Sequence, residues 1–409
     1  MSHNDAYLIV NAGSSSLKFS VFQALETGGL EAVFNGQIAG IGTQPSFQAK
    51  DAQRHVLADR TWSANEASDR PTLLRFALDW ITERLGSARL LAVGHRVVAG
   101  GREFAHPVLV TEAVLEGLER LVPLSPLHQP HHIAAIRAIR DLHPALPQVA
   151  CFDSAFHHDM PLAAQTYALP RALTDEGVRR YGAHGLSFEY VAYRLRQIEP
   201  DLADGHVVVC HLGNGSSLCA IHAGRGVDTT MGFTVLEGVP MGTRPGIVDP
   251  GILLYLMREK GMGADELEKL LYHQSGFLGV SGISNDMRVL LESDDPRAAE
   301  TVELFCFNVA KQIGAMAASM GGLDAIVFTA GIGENSPPVR ARVGAKLEWL
   351  GVKIDQNANQ SKAPRISSAS SRIPVLIIPT DEERMIARHT ARILGRAVDG
   401  ASATPAPKA

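Results

Sequence analysis

Residues 7–22 read YLIVNAGSSSLKFSVF. The apolar run Tyr7–Val10 feeds a small polar turn, and beyond it Leu17, Phe19 and Val21 alternate with Lys18 and Ser20. Alternation is strand period, so the stretch predicts a β-hairpin. A glycine, three serines and a lysine at a turn suit a phosphate, yet P-loop spacing is absent, and a second strand follows where a P-loop would open a helix. The same outline returns at 206–224, HVVVCHLGNGSSLCAIHAG. Each copy runs from an apolar strand through a polar turn ending in Ser-Ser-Leu into a second strand. The copies lie about half a chain apart, as a duplicated domain would place them.

Around these hairpins, segments of helix and strand period alternate, which predicts an α/β protein. At 409 residues the chain exceeds the size at which one core keeps growing, so two domains are expected. Helices are expected in TLLRFALDWITERLG, EAVLEGLERLV, HHIAAIRAIRDLH, LSFEYVAYRLRQI, DELEKLLYH and RAAETVELFCFNVAKQIGAMAASM. In the first of these, Leu74, Leu78, Ile81 and Leu85 share a face behind the candidate caps Ser68 and Asp69, with Pro71 in the first turn. Buried strands fit RLLAVGHRVVAGG, QVACFD, HVVVCHL, DAIVFTAG and IPVLIIPT. SKAPRISSASSR reads as a surface loop, and the tail DGASATPAPKA as disordered. A net charge of -5 argues against nucleic acid, which demands clustered cations. No run approaches the length of a membrane span or signal peptide, so a cytoplasmic protein without membrane partners is expected. Cys151, Cys210, Cys219 and Cys306 lack CxxC spacing and read as buried reduced thiols.

Three glycine-rich sites carry the chemistry. At the first hairpin, backbone N–H groups near Gly13, the hydroxyls of Ser14 and Ser16 and the Lys18 ammonium can converge on a phosphate. The second turn offers His211, Leu212, Gly213, Asn214 and Gly215. The third, FTAGIGENSPPV, reads as a strand, a turn at Gly331, Ile332, Gly333, Glu334 and Asn335, and prolines opening a helix, a place where nucleotides rest. Two phosphate hairpins and a nucleotide turn predict a nucleoside triphosphate gripped in a cleft between the domains. Arg96, Arg244, Arg288, Asp153, His184 and Glu382 stand in turn-like contexts that a core would not choose. His128, His131, His132, His157 and His158 lack zincin spacing, so no protein-bound zinc is expected.

Taken together, NAGSSSLK, GHRVVAGG, HLGNGSSL, DTTMGFTVLEGVPMGTRPG, FTAGIGENS and PTDEE closely resemble the acetokinase family, over about residues 7–394. The resemblance implies membership of the acetate and sugar kinase, Hsc70 and actin superfamily, with two duplicated actin-like, ribonuclease H-like domains. The expected division is residues 1–150 with a C-terminal helix at about 384–396, then 151–383, then the tail 397–409. It also implies reversible phosphoryl transfer from ATP to acetate, giving ADP and acetyl phosphate, with Mg2+ (or Mn2+ in its place), by a homodimer. Position by position, Asn11 and Glu382 match the metal site and Lys18 an ATP-phosphate contact. His211 to Gly215, Asp286, Met287 and Arg288, and Gly331 to Asn335 match the nucleotide segments. Arg96 and Arg244 match the carboxylate and phosphoryl clamps, His184 a transition-state stabiliser and Asp153 the catalytic carboxylate. Because a free carboxylic acid has a pKa of roughly 4 to 5, the acceptor arrives ionised, and Asp153 is expected to orient metal-bound water or an arginine instead of serving as a base.

The chain departs from the pattern at the acyl pocket. It has YGAHG where the family usually shows YGFHG, placing Ala183 at an aromatic position, and Val235 where proline usually follows MGFT. With Val98 and Leu127 retained, the missing phenyl predicts room for extra methylenes, and so better use of propionate. Met287 stands where aromatics are common. The competing readings are a propionate or butyrate kinase, a more distant phosphotransferase of the superfamily, and an actin-like ATP switch.

Overall fold

The computed structural model describes residues 5–25, 28–63, 69–126 and 128–396. These fall into two units, one built from the described residues up to Ala155 together with those from Asp381 onward, the other from Phe156–Thr380.

The first unit is organised by β1 (Asp5–Ala12), whose apolar residues are buried, and β2 (Ser16–Ala24). They pair antiparallel from Ala6↔Gln23 to Ala12↔Leu17, and Gly13 N–H closes the turn on the Ser16 carbonyl at 2.8 Å. Leu17, Phe19 and Val21 are buried while Lys18 is exposed, as the alternation predicts. The sheet continues outward through β3 (Leu30–Ala39), β4 (Ser46–Asp51) and β5 (Val56–Thr61). On the other flank of β1, β6 (Arg89–Val97) is parallel, and β7 (Val108–Leu109) and β8 (Gln148–Phe152) complete the order β5-β4-β3-β2-β1-β6-β8-β7. The helix Arg70–Leu85 starts at Asp69, whose carboxylate accepts from Thr72 N–H at 2.8 Å, and buries Leu74, Leu78, Ile81 and Leu85. Ser68, the alternative cap, lies outside the described residues, as do Leu127 and the tail 397–409. The helix Glu382–Ile393 returns to this unit and lies on β6 at Gly94, where a Cβ would stand 2.4 Å from Thr390 Oγ1 and 2.6 Å from Ile386 Cγ2.

The second unit repeats this plan. β9 (His206–Leu212), β10 (Ser216–His222) and β11 (Arg225–Thr229) form antiparallel neighbours, while β12 (Ala325–Thr329) and β13 (Val375–Ile377) add in parallel, in the order β11-β10-β9-β12-β13. The segment β3-β2-β1-β6-β8 has the same sequence of antiparallel and parallel joins. The duplication inferred from two short hairpins therefore extends to both sheets. Val208, Cys210 and Leu212 face the 25-residue helix Pro296–Met320 through Val302, Phe305 and Val309. Val207 and Val209, on the opposite face, meet Phe188, Val191 and Leu195 of the helix Gly185–Ile198.

Two local expectations are corrected. GIGEN is not a turn: the backbone enters the helix Ala330–Asn335 directly from β12, and a second helix, Pro337–Ala345, follows after Ser336. The 361–372 segment is not wholly a surface loop, since Ile366 is buried and bridges join Ser367 to Ile354 and Arg365 to Leu376. All four cysteines are buried free thiols.

Candidate active site

In the first unit, three parallel strands deliver polar residues to one edge. β1 and β6 are aligned at Val10↔His95, and β6 and β8 at Arg96↔Cys151 and Val97↔Phe152. Asn11, Arg96 and Asp153 consequently emerge together at the carboxyl ends of their strands, the usual ligand side of such sheets. Arg96 Nη2 donates to Asp153 Oδ2 at 2.5 Å and Nη1 to Asn11 Oδ1 at 3.4 Å, while Nε lies 3.8 Å from Glu382 Oε2. The Asp153 side chain is 1% exposed. Burial alone would depress the Arg96 pKa, but Asp153 and then Glu382 outweigh it and raise it above the ordinary guanidinium value. Asn11 and Glu382 thus present hard oxygen donors around one guanidinium, a donor set that suits Mg2+ completed by water and phosphate oxygens. The adjacent Glu383 carboxyl is raised by burial and by the Glu382 charge.

The first hairpin turn is braced from behind. Arg70 donates through Nη2 to the carbonyls of Gly13 at 2.8 Å and Ser14 at 2.9 Å. Nothing in the spacing of the motif signals this residue, which is 57 positions away from Gly13 in sequence. Ser14 is exposed and Ser16 half-buried. Lys18 reaches into a cavity of about 450 Å³ shared with Lys50, Gln48, Asp381 and Glu383. Val98 is buried, and its N–H donates to His132 Nδ1 at 3.4 Å.

In the second unit, the end of β9, the start of the helix Gly185–Ile198 and the segment between β11 and the helix Pro250–Glu259 bring together His211, His184 and Arg244. His184 has left-handed backbone angles, φ 58°, immediately before the helix Gly185–Ile198. Its ring stacks on His211 with centroids 4.1 Å apart, and its Nδ1 pairs with Ser217 Oγ at 2.8 Å. His211 Nδ1 pairs with Ser187 Oγ at 2.8 Å, which in turn meets Thr380 Oγ1 at 2.8 Å. Ser217, Ser187 and Thr380 were not among the expected site residues. A Cβ at Gly215 would stand 2.8 Å from Arg244 Nη2 and 3.4 Å from His184 Nε2, so both side chains are aimed at this glycine, and a larger residue would push the arginine tip aside. Arg244 Nη1 donates to the Val235 carbonyl at 2.9 Å, and burial lowers its pKa. Leu212 is fully buried, so its side chain serves the core and only its backbone can meet a ligand.

Next to this turn lies a cavity of about 800 Å³ lined by Gly213, Asn214, Asp286, Arg288, Gly331 and Asn335, among others. The structure therefore gathers the three segments that the sequence marked as nucleotide contacts. Asp286 caps the helix Met287–Glu292 and pairs with Arg288 at 2.6 Å; the hydrogen bonds from Arg288 hold its carboxyl below the ordinary range. Met287 borders the cavity but is 3% exposed, packed in the core, so its effect on an aromatic ligand face is restricted. Glu334 is spent on the fold: its Oε1 accepts from Ala330 N–H at 2.7 Å and Thr380 N–H at 3.1 Å. Ala183 is also buried and packs with Met231, Met241 and Val235, so two pliable methionines border the space vacated by the missing phenyl.

The acetokinase family model matches residues 6–388. The acetate kinase of Nitrobacter hamburgensis is 50% identical over 390 residues, covering 95% of this chain and 96% of its own length. That of Rhodopseudomonas palustris is 49% identical over 394 residues, covering 95% of this chain and 98% of its own. Among solved structures, a propionate kinase from Francisella tularensis superposes with a TM-score of 0.87 at 36% identity, covering 94% of this chain and 98% of its own. The acetate kinase of Porphyromonas gingivalis gives 0.86 at 34% identity, with 95% and 100% covered. With a family match over nearly the whole chain and a duplicated sheet plan beneath it, the chain belongs to the acetokinase family.

Proposed function

We propose that the chain is a Mg2+-dependent acyl kinase that transfers the γ-phosphoryl group of ATP reversibly to acetate, giving acetyl phosphate and ADP. The observation that carries this is the convergence of Arg244 and His184 over Gly215, in the same turn as the cavity-lining Gly213 and Asn214. Two basic side chains aimed at one glycine turn suit the equatorial oxygens of a phosphoryl group in flight. An acetate oxygen forms the new bond to phosphorus as the bond to the β–γ bridging oxygen breaks. No proton has to be removed from the acceptor, and Asp153 then serves by holding Arg96 in place. Arg96 binds the carboxylate, Val98, Leu127, Ala183 and Val235 border the acyl group, and Ser14, Ser16 and Lys18 contact phosphate. The segments 211–215, 286–288 and 331–335 take the nucleotide. Asn11 and Glu382 would hold Mg2+, which supplies charge neutralisation to the phosphates when bound.

A cytoplasmic homodimer is part of the same proposal. Its support is the helix Pro250–Glu259, which buries none of its residues and leaves Leu254, Tyr255 and Met257 about half exposed, with Ile247 and Val248 exposed just before it. Ala183 favours a second reading in which propionate is used nearly as well as acetate, because methionines repack around one more methylene more readily than a phenyl does. Trapping acyl phosphate as the hydroxamate across acetate, propionate and butyrate tests both. Acetyl hydroxamate that depends on ATP and Mg2+ is expected, with propionate kcat/KM within about tenfold of acetate, a loss of less than ~1.4 kcal/mol in transition-state binding. ATP hydrolysis without hydroxamate would refute the kinase reading, and a fall of more than a hundredfold at propionate would refute the broader one.

A further inference from the structure

Arg340 is the largest fully buried side chain in the described residues. It lies on the helix Pro337–Ala345, directly beneath the helix Ala330–Asn335 that borders the 800 Å³ cavity. Its Nη1 donates to the Gly333 carbonyl at 2.8 Å, Nε to Asn359 Oδ1 at 2.8 Å and Nη2 to the Asn359 carbonyl at 2.9 Å. Its partners among the described residues are this amide oxygen and these carbonyls, with no carboxylate, and burial pulls its pKa down to about 10, which leaves it charged at neutral pH. Asn359 is itself 1% exposed and donates from Nδ2 to the Pro337 carbonyl at 2.9 Å.

An apolar side chain of similar volume would fill this place without the desolvation of a charge. What an apolar side chain cannot do is hold carbonyls in fixed directions, which the planar guanidinium fork does. Gly333 is buried, whereas Gly331, Ile332, Asn335 and Ser336 on either side of it line the cavity. The segment also begins at Ala330 with a left-handed φ of 65°, a conformation that persists only where its surroundings hold it. Glu334 holds the start through the Ala330 and Thr380 N–H groups, and Arg340 holds the far side.

We propose that Arg340 is a positioning residue for the nucleotide: its fork fixes the Gly333 carbonyl, and through it the cavity-facing backbone of Gly331–Ser336 that ATP and ADP meet. The proposal rests on reading that cavity as the nucleotide site. The test compares wild type with Arg340→Lys, Arg340→Met and Asn359→Ala, measuring KM for ATP and for acetate, kcat, the Kd of ADP by calorimetry, and Tm. Both Arg340 variants are expected to raise KM for ATP and the Kd of ADP about tenfold or more, with KM for acetate at saturating ATP changed less than twofold. Asn359→Ala, which leaves the Gly333 bond in place, is expected to give a smaller rise in the same direction. A lowered Tm with unchanged KM for ATP would reduce Arg340 to a structural role and overturn the proposal. Full rescue by Arg340→Lys would also overturn it, because charge without the fork would then suffice. If Arg340→Met does not fold, Arg340→Lys and Asn359→Ala carry the decision. Wild type that binds no ADP would overturn the nucleotide reading beneath the proposal, a result distinct from wild type that binds ADP with variants that bind equally well.

Discussion

Asp153 is held on the strand edge by its own N–H, which donates to the Val97 carbonyl at 2.9 Å, and by its ion pair with Arg96. With its side chain almost wholly buried, the pair is worth more to the site than a surface ion pair, since removing one charge leaves the other uncompensated away from water. Asp153→Asn preserves shape but cancels the charge that stabilises the Arg96 guanidinium. Its kcat/KM is expected to fall about a hundredfold or more, roughly 2.7 kcal/mol, with the protein still folded by circular dichroism. Activity within about tenfold of wild type would show that ionised Asp153 is dispensable. The residues of this cluster were readable from sequence because Asn11, Arg96, Asp153 and Glu382 match the acetokinase pattern position by position; their context did not single them out, since Asn11 and Arg96 lie on strands and not in turns. Arg70, Ser187 and Arg340 were not: Arg70 braces carbonyls 57 and 56 positions away, Ser187 meets a ring nitrogen 24 positions away, and Arg340 grips the Gly333 carbonyl from the following helix, none of which a motif spacing signals.

Elements with a strong period were legible at the level of the element. The Arg70–Leu85 helix follows its apolar spacing and its Asp69 cap, and the β1–β2 hairpin follows the alternation after Leu17. GIGEN was misread because glycines at a strand end signal a turn, while the carboxylate of Glu334 rewards the helix with a long-range bond to Thr380. The seating of the Glu382–Ile393 helix was hidden for a related reason, since it depends on a glycine in another element. Gly94→Ala would press a methyl group into Thr390 and Ile386, with Ile9 Cδ1 3.0 Å away on the other side. We expect a loss of about 1–3 kcal/mol in urea unfolding, and reduced activity because Glu382 opens the displaced helix. Gly314→Ala is the matched control: it sits inside the Pro296–Met320 helix with open space around its Cβ, and is expected to be neutral or to stabilise by up to ~1 kcal/mol. If both variants lose stability equally, the seating argument fails.

At the scale of the molecule, each unit contains a buried neutral histidine. His95 in the first pairs with Gln148 at 2.7 Å and His157 in the second with the Ala183 carbonyl at 3.0 Å; burial lowers both pKa values to about 4. Between pH 6.5 and 4 the unfolded chain binds protons that the folded chain refuses, so stability is complete above pH 6.5 and is lost as pH falls toward 4. The loss is of order 3 kcal/mol for each histidine when fully expressed. Urea midpoints are expected to decline steadily below pH 6.5, and a midpoint flat from pH 7 to 4.5 would contradict this.

The return of the Glu382–Ile393 helix to the first unit also sets an order for synthesis. The second unit is one uninterrupted stretch, Phe156–Thr380, and can close its core as it leaves the ribosome. The first unit, although most of its strands precede the second unit in the chain, must wait with the Gly94 seat open until the second unit has been made. Glu382 arrives only after the whole second unit, so a nascent chain stopped short of it is left with Arg96 facing one carboxylate instead of two.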